Sequence, residues 1–352
     1  MKHSNKIQAR SLMAWYRRNA RDLPWRRTRD PYKIWISEVM LQQTTVNAVI
    51  PYYHRWIERF PTIQRVAAAS EQEILRLWQG LGYYSRARNI HRSAQIMVER
   101  YGGCVPADPQ ALGRLPGFGP YTVGAVLSIA FDQRQPIVDA NVRRVVMRIL
   151  AMEGKAVASR DGEIVEFLQG MMPPRNLRVF NQALMELGAL VCRAREPLCL
   201  LCPWRGGCRA CQQGIQELIP ARQKRLLTKI TAAVGILTDE RQRVLIQRRP
   251  PEGLLANLWE LPGGKLEAKE TPDQALKREL LEELGIEVDS LRFFMNVRHF
   301  YTRYQVDLHA FFCRPLDRPS PRQEYKWVSL DELPLYPMPS GSAKIVDRLI
   351  GK

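Results

Sequence analysis

Leu115-Pro116-Gly117-Phe118-Gly119 leads into an apolar stretch over 121–131 and then into Ile137-Val138-Asp139-Ala140-Asn141. Gly117 and Gly119 allow a tight turn, and the apolar spacing beyond them predicts a helix over 121–131. A turn of this kind opens backbone N–H groups at a helix start, a geometry that holds phosphate. Taken alone, it is equally a plain loop. Asp139 follows the predicted helix by eight residues, in an apolar setting. It is either the N-cap of the next helix or a functional acid.

Outward from this stretch the pattern stays helical. Apolar periodicity predicts helices over 11–19, 34–50, 71–77, 84–101, 141–150 and 181–191. Pro31, Pro51, Pro61, Gly80, Gly82, Pro106, Pro116 and Pro136 punctuate them. β-branched alternation is scarce before residue 230. Beyond it, strands are predicted over 230–237, 243–247, 291–298 and 304–312, with one strong helix over 275–284. Residues 212–229 are polar and basic, without a core pattern. The expected architecture is multidomain: an all-α domain over 1–211, a linker over 212–229 and an α/β domain over 230–352.

Composition sets the class. Of 352 residues, 45% are hydrophobic and 25% charged, the balance of a globular chain and not of a disordered one. No apolar run is long enough for a spanning helix. Met1-Lys2-His3-Ser4-Asn5-Lys6 lacks the apolar core of a secretion signal. The expectation is a cytoplasmic protein with no membrane partner. Charge is uneven: residues 1–230 carry 35 Lys/Arg against 17 Asp/Glu, whereas 231–352 carry 18 of each. Arg dominates the basic part and suits forked contacts to phosphate, so the first two-thirds predict a nucleic-acid surface.

Seven cysteines stand at 104, 192, 199, 202, 208, 211 and 313. Cys192-x6-Cys199-x2-Cys202-x5-Cys208 gathers four soft ligands in one loop, which selects zinc or an iron–sulfur cluster. Spacing does not separate the two. Arg193, Arg195, Arg205 and Arg209 accompany the loop, and a metal staple would hold them toward a phosphate backbone. Cys211, Cys104 and Cys313 read as ordinary small buried residues.

In the C-terminal part, Glu279, Glu282 and Glu283 fall at i, i+3 and i+4 on one helical face. They form either an acidic solvent face or a Mg²⁺ or Mn²⁺ site, since hard oxygen ligands suit those ions. Leu280, Leu281 and Leu284 fall on other faces, available to the sheet.

The run Trp35-Ile36-Ser37-Glu38-Val39-Met40-Leu41-Gln42-Gln43-Thr44 is similar to the helix carrying the catalytic glutamate in the MutY family of adenine DNA glycosylases. Leu81-Gly82-Tyr83-Tyr84-Ser85-Arg86-Ala87-Arg88-Asn89, the glycine hairpin, Val138-Asp139-Ala140-Asn141 and the four-cysteine loop resemble the same family, in family order over residues 25–208. The resemblance implies a helix-hairpin-helix glycosylase with a [4Fe–4S] cluster on Cys192, Cys199, Cys202 and Cys208. Its substrate would be double-stranded DNA with adenine opposite 8-oxoguanine or guanine, and the protein would act as a monomer. Breaking an N-glycosidic bond needs an acid for the leaving base and an anion for the sugar cation, hence two carboxylates. By resemblance Glu38 is the acid and activates water, and Asp139 stabilises the sugar. Glu38 should titrate high among apolar neighbours. The target base must leave the stack. The family pattern puts Gln42, Gln43 and Tyr83 at the DNA wedge, Gly117, Gly119 and Asn141 on the DNA, and Trp25, Arg26, Val46 and Gln182 around adenine.

Tyr121 stands where the related endonuclease III holds a catalytic lysine that forms a Schiff base and cuts the strand. Tyrosine cannot do so, which predicts a monofunctional enzyme leaving an abasic site. A related thymine-DNA glycosylase also has tyrosine here, so thymine is the alternative base.

Gly264-x5-Glu270-x7-Arg278-Glu279-x2-Glu282-Glu283-x-Gly285-Ile286 fits the full Nudix box, and the segment from Ile230 resembles MutT. In MutY relatives this domain recognises 8-oxoguanine. The first reading is therefore a lesion-reading module with Tyr301 and Thr302 on 8-oxoguanine, Arg303 replacing the family's histidine. The alternative is an active Mg²⁺-dependent nucleotide diphosphohydrolase fused to the glycosylase.

Overall fold

The computed structural model describes residues 2–221, 227–301, 304–320 and 324–351; Thr302 and Arg303 lie outside the described residues. The chain packs as two compact units, residues 1–68 with 92–224, and residues 69–91 with 225–352. No described helix is long and apolar enough to cross a membrane.

The first unit is helical. Asp30 opens the helix Pro31–Leu41 by accepting the Tyr32 N–H at 2.9 Å, with Pro31 pre-set for the first helical position. Nearly all of that helix is buried, Glu38 included. The predicted single helix over 34–50 is two, Pro31–Leu41 and Val46–Arg59. Gln43 sits at φ 57, a left-handed conformation through which no helix continues. The break turns Gln42–Thr45 out as a loop. Pro51, read as punctuation, lies inside Val46–Arg59, where it forgoes one hydrogen bond to the carbonyl four residues earlier.

Between the helices Pro109–Gly113 and Pro120–Phe131, the hairpin turns at Gly117, whose φ of 79 favours glycine. Phe118 stacks on Trp35 at 5.4 Å, tying the hairpin to the Glu38 helix. Asp139 caps Ala140–Leu150 through the Val142 N–H at 2.6 Å. Leu177–Leu190 crosses that helix at Gly188. A Cβ there would fall 2.6 Å from Asn141 Cβ, so the approach needs glycine. Helix Asp161–Met171 carried no apolar signal strong enough to predict; only Ile164, Leu168 and Met171 are buried along it.

In the second unit one sheet orders β4 (Gly263–Lys265), β1 (Thr228–Leu237), β6 (Tyr304–Pro315) and β5 (Val288–Tyr301); β1 and β6 run parallel. The other orders β3 (Trp259–Glu260), β2 (Val244–Arg248) and β7 (Tyr325–Val328). Helix Pro272–Leu284 starts on a Thr271/Gln274 capping box and stops at Gly285. It buries Leu276, Leu280 and Leu284 against Ala233, Leu237 and Leu245. Leu281, expected to be available to the sheet, is 53% exposed because it falls on the outer face. The segment 69–91 joins this unit through polar contacts. Trp259 Nε1 donates to Gln72 Oε1 at 3.0 Å, Asn257 Nδ2 to Glu71 Oε1 at 2.7 Å, and the Tyr84 hydroxyl to the Met338 carbonyl at 3.0 Å.

Candidate active site

A cleft of about 750 Å³ opens in the first unit. Its walls bring together Glu38, Tyr121, Asp139, Gln42, Gln43, Asn141, Trp25, Arg26, Val46 and Gln182. These residues come from five separate segments of the chain. No lysine lines the cleft among the described residues.

Glu38 is 4% exposed. Burial pushes its carboxyl up to about 7; the Tyr121 hydroxyl, donating to Oε2 at 2.5 Å, pulls the other way, and the Asp139 charge adds to the rise. Tyr121 itself is held well above the ordinary phenol range by burial and then by the Glu38 charge, so it stays a donor. Asp139 is also raised, by burial, against the Val142 N–H and the Asn141 amide that donate to it at 2.6 and 3.2 Å. It is therefore both an N-cap and a wall of the cleft. The two roles share one carboxyl, since each oxygen has its own donor.

Trp25 sits in the short turn Pro24–Arg26 and meets Tyr53 edge-on at 5.3 Å. The Tyr16 hydroxyl and Gln182 Oε1 lie 3.1 Å apart in a buried hydrogen bond, which leaves the Gln182 NH₂ as a donor. Gln42 Nε2 donates to Thr122 Oγ1 at 3.2 Å. Gly119 caps Pro120–Phe131 with open space where a Cβ would stand.

Sequence reasoning missed the anchor beneath Arg26. Glu186 is 0% exposed and accepts from both Arg26 and Arg21, at 2.8 and 2.6 Å. Burial would raise it, but the two guanidiniums overcome that and hold it at about 2. The available signal was an acid inside the apolar run Ala183-Leu184-Met185-Glu186-Leu187, four residues after Gln182 and so on its face. Arg144 was missed too. It donates to Asn141 Oδ1 at 2.8 Å, to the Gly188 carbonyl at 2.7 Å and to the Cys192 carbonyl at 2.8 Å.

Cys192, Cys199, Cys202 and Cys208 line one small cavity, and all are free thiols. Buried Arg148 donates to Cys192 Sγ at 3.3 Å. Gln216 Oε1 is buried in the same cavity without a hydrogen-bond partner among the described residues. Turning that amide over presents its donors to sulfur instead. Among the described residues, no three Cys, His, Asp or Glu side chains close on a point that one ion could take. The four thiols line one shared space. Cys211, read as an ordinary residue outside the loop, lines the cavity as well, and Cys104 is exposed, not buried. Cys313 is buried.

In the second unit, Gly264 leaves room for the Glu279 carboxyl: a Cβ there would stand 2.2 Å from it. Arg278 bonds Glu270 at 2.7 Å and both Glu279 and Glu282 at 3.2 Å, while Glu283 accepts from Gln247 at 2.6 Å. Arg278 brings one positive charge to Glu270, Glu279 and Glu282, so with Glu283 beside them this face keeps a net negative charge. Tyr83, at φ 50, and Tyr301 come together, ring centroids 6.3 Å apart, with the Arg86 guanidinium over Tyr83 at 5.5 Å.

Residues 36–169 match the model of the HhH-GPD superfamily base excision DNA repair proteins, and residues 233–348 match the NUDIX domain. An adenine DNA glycosylase of Rattus norvegicus is 38% identical over 78% of this chain and 63% of its own length. The chain thus spans just under two thirds of that relative. One of Buchnera aphidicola is 35% identical over 71% of this chain and 73% of its own length. A thermostable thymine-DNA glycosylase structure superposes with a TM-score of 0.53 at 29% identity, covering 59% of this chain and 97% of that one. The helical match contains Glu38, Tyr121 and Asp139 of the cleft, and the relatives span both parts of the chain: it belongs to the adenine DNA glycosylase family.

Proposed function

We propose that the chain is a monofunctional adenine DNA glycosylase of base excision repair, removing adenine opposite 8-oxoguanine or guanine and leaving an abasic site. The carrying observation is Glu38, buried at about 7 under the Tyr121 hydroxyl, in one cleft with Asp139. Near neutral pH, Glu38 has a proton to give to the leaving base. Once ionised it draws a proton from water. Asp139 offers negative charge to the oxocarbenium-like sugar, and its capping bonds hold it in place. Tyr121 fixes Glu38, and with no lysine in the described lining there is no amine to form a Schiff base.

Trp25, Arg26, Val46 and Gln182 take the flipped adenine, Gln182 through its free amide donors. The basic excess, the open hairpin at Gly117 and Gly119, and Gln42, Gln43 and Asn141 serve double-stranded DNA. Tyr83 and Tyr301 provide stacking surface for the wedge and for 8-oxoguanine; Thr302 is assigned to the same task by sequence alone. Cys192, Cys199, Cys202 and Cys208 would hold a [4Fe–4S] cluster, which would staple the loop and its arginines. The working form is a monomer, organised as residues 1–211, 212–229 and 230–352.

Single-turnover release from duplexes with A opposite 8-oxoguanine, A opposite G and T opposite G tests the reading. Adenine should be released, strands should break only after alkali, and Glu38→Gln should release adenine about 10³-fold more slowly. Release of thymine without adenine, or cutting without alkali, overturns it. For the Nudix-like domain, its place on a glycosylase chain favours lesion reading over catalysis. Glu279→Gln should then leave excision intact. Release of pyrophosphate from 8-oxo-dGTP with Mg²⁺ or Mn²⁺, lost in that variant, would make the domain a diphosphohydrolase using Glu279, Glu282 and Glu283.

A further inference from the structure

Arg143 lines the cleft, and the chemistry above gives it no task. It stands four residues after Asp139, in helix Ala140–Leu150, the spacing at which an acid and a cation meet on one helical face. Yet the two are not paired. Arg143 is forked on Asp161 instead, Nε donating to Oδ1 and Nη2 to Oδ2, each at 2.7 Å. Asp161 begins the helix Asp161–Met171, whose Ile164 and Leu168 share one core with Val142, Val145 and Val146 of the Arg143 helix. The two side chains are 17% and 31% exposed, so water screens the pair only in part. Asp139 bonds the Val142 N–H and the Asn141 amide and forms no ion pair among the described residues. A guanidinium turned onto Asp139 would tie up that anion. It would also set positive charge beside a sugar that itself becomes positive.

We infer that Asp161 is a positioning residue for excision: it holds the Arg143 guanidinium off Asp139, so that the Asp139 carboxylate faces the sugar. The inference rests on the reading of Asp139 as the anion that stabilises the sugar. Two anions compete for one cation, and geometry decides between them. Asp161 offers both oxygens as a fork, whereas both Asp139 oxygens already accept from their own helix. The other charged or titratable groups facing Asp139 are Arg144 on its own helix, Glu38 on Pro31–Leu41 and Tyr121 on Pro120–Phe131. Arg144 is committed to Asn141 and to the Gly188 and Cys192 carbonyls, and Glu38 and Tyr121 are bonded to each other. Arg143 is therefore the cation whose placement Asp161 decides. A neutral side chain at 161 releases it to Asp139.

The test uses the full chain and a duplex with A opposite 8-oxoguanine. Single-turnover excision, duplex affinity and the pH profile are measured for Asp161→Asn, Arg143→Met and the double variant. Asp161→Asn should slow excision about tenfold, the order of one unfavourable charge contact at the sugar. Its affinity for undamaged duplex should not fall, because a negative charge has been removed. Arg143→Met should be faster than Asp161→Asn, and the double variant should match Arg143→Met. Asp161→Asn should also move the acid-side limb, set by Asp139, to lower pH, since a paired guanidinium favours the carboxylate. In the double variant that limb should return. Its position does not depend on how much of a variant is folded, so it stands even where a substitution costs stability. A double variant no faster than Asp161→Asn overturns the inference, as does Asp161→Asn at the parent rate. A merely structural part for Asp161 would slow both alike and leave the limb in place. Asp139→Asn at the parent rate would instead overturn the reading of Asp139, so the two failures are separable.

Discussion

Glu38 and Glu186 line the same cleft and are both buried, yet one titrates at about 7 and the other at about 2. The difference lies in their partners. Among the described residues, the Glu38 carboxyl has one hydrogen-bond donor, the neutral Tyr121 hydroxyl. Glu186 has two guanidiniums and the backbone N–H of Arg21 at 2.8 Å. Burial without a hydrogen-bonded cation, the Arg26 charge acting only through space, makes a carboxyl that keeps its proton to near neutrality; burial with two bonded guanidiniums makes a fixed anion. The first can do acid–base chemistry. The second positions Arg26, whose guanidinium also lies over the Tyr16 ring at 5.4 Å. Within one cleft, the same side chain is a reagent and a strut.

Substitution should separate the two. Glu38→Gln keeps the shape and removes the proton, so single-turnover excision should fall by about 10³-fold, within the range for losing a general acid. Its folding stability should not drop, because a neutral amide is cheaper to bury than a carboxylate. Glu186→Gln should do the reverse. Two partly buried cations would lose their anion, costing about 3 kcal/mol of stability in denaturant unfolding, with a smaller loss of excision measured below the melting range. Excision equal in the two variants would erase the distinction.

The pH dependence sharpens it. Excision should fall as pH rises through about 7, since the protonated Glu38 is the working form. It should also fall on the acid side as Asp139, raised by burial, takes up its proton. Stability should show both signs. Glu38 is raised from an ordinary 4.5, so its contribution is complete below 4.5 and is lost as pH rises through about 7. Glu186 is depressed, so its contribution is present above 4.5 and is lost as pH falls through about 2. Tyr121→Phe removes a bond that lowers Glu38. The alkaline limb should therefore move to higher pH, and excision near neutrality should drop about tenfold, the worth of one charge-assisted hydrogen bond. A limb that stays in place would mean Tyr121 does not touch the working acid.

Glu38, Gln42, Gln43, Tyr121, Asp139 and Asn141 were legible because each lies in or beside a local motif (the Glu38 helix, the glycine hairpin, the Asp139 stretch), whereas Trp25, Arg26, Val46 and Gln182 came only from the family resemblance. What the sequence hid were the partners that set their electrostatics. Arg21 and Glu186 are separated by 165 residues, and no local pattern links them. The helix break at Gln43 was hidden because Gln42-Gln43-Thr44 has no Gly or Pro to announce it. Strands β3 and β4 were missed because two or three residues carry no alternation. Conversely, the Nudix box was fully legible, but its ion pairing was not: which acids Arg278 bonds is a matter of geometry.

The smallest expected effect concerns Asp139, which behaves like neither glutamate. It is raised by burial, yet it is held by the Val142 N–H and by Asn141. Asn141 is held in turn by Arg144, which also grips the carbonyls of Gly188 and Cys192. A guanidinium can reach all three acceptors at once, whereas the shorter amide of a glutamine cannot. Arg144→Gln should therefore loosen Asn141 and lower excision about fivefold, roughly 1 kcal/mol of transition-state stabilisation. Affinity for undamaged duplex and iron content should stay at parent values, because neither the hairpin nor a cysteine sulfur is touched. A loss of iron would instead place Arg144 among the supports of the cysteine loop. Unchanged excision would show that capping alone holds Asp139, leaving the cleft's anion independent of the loop beyond it.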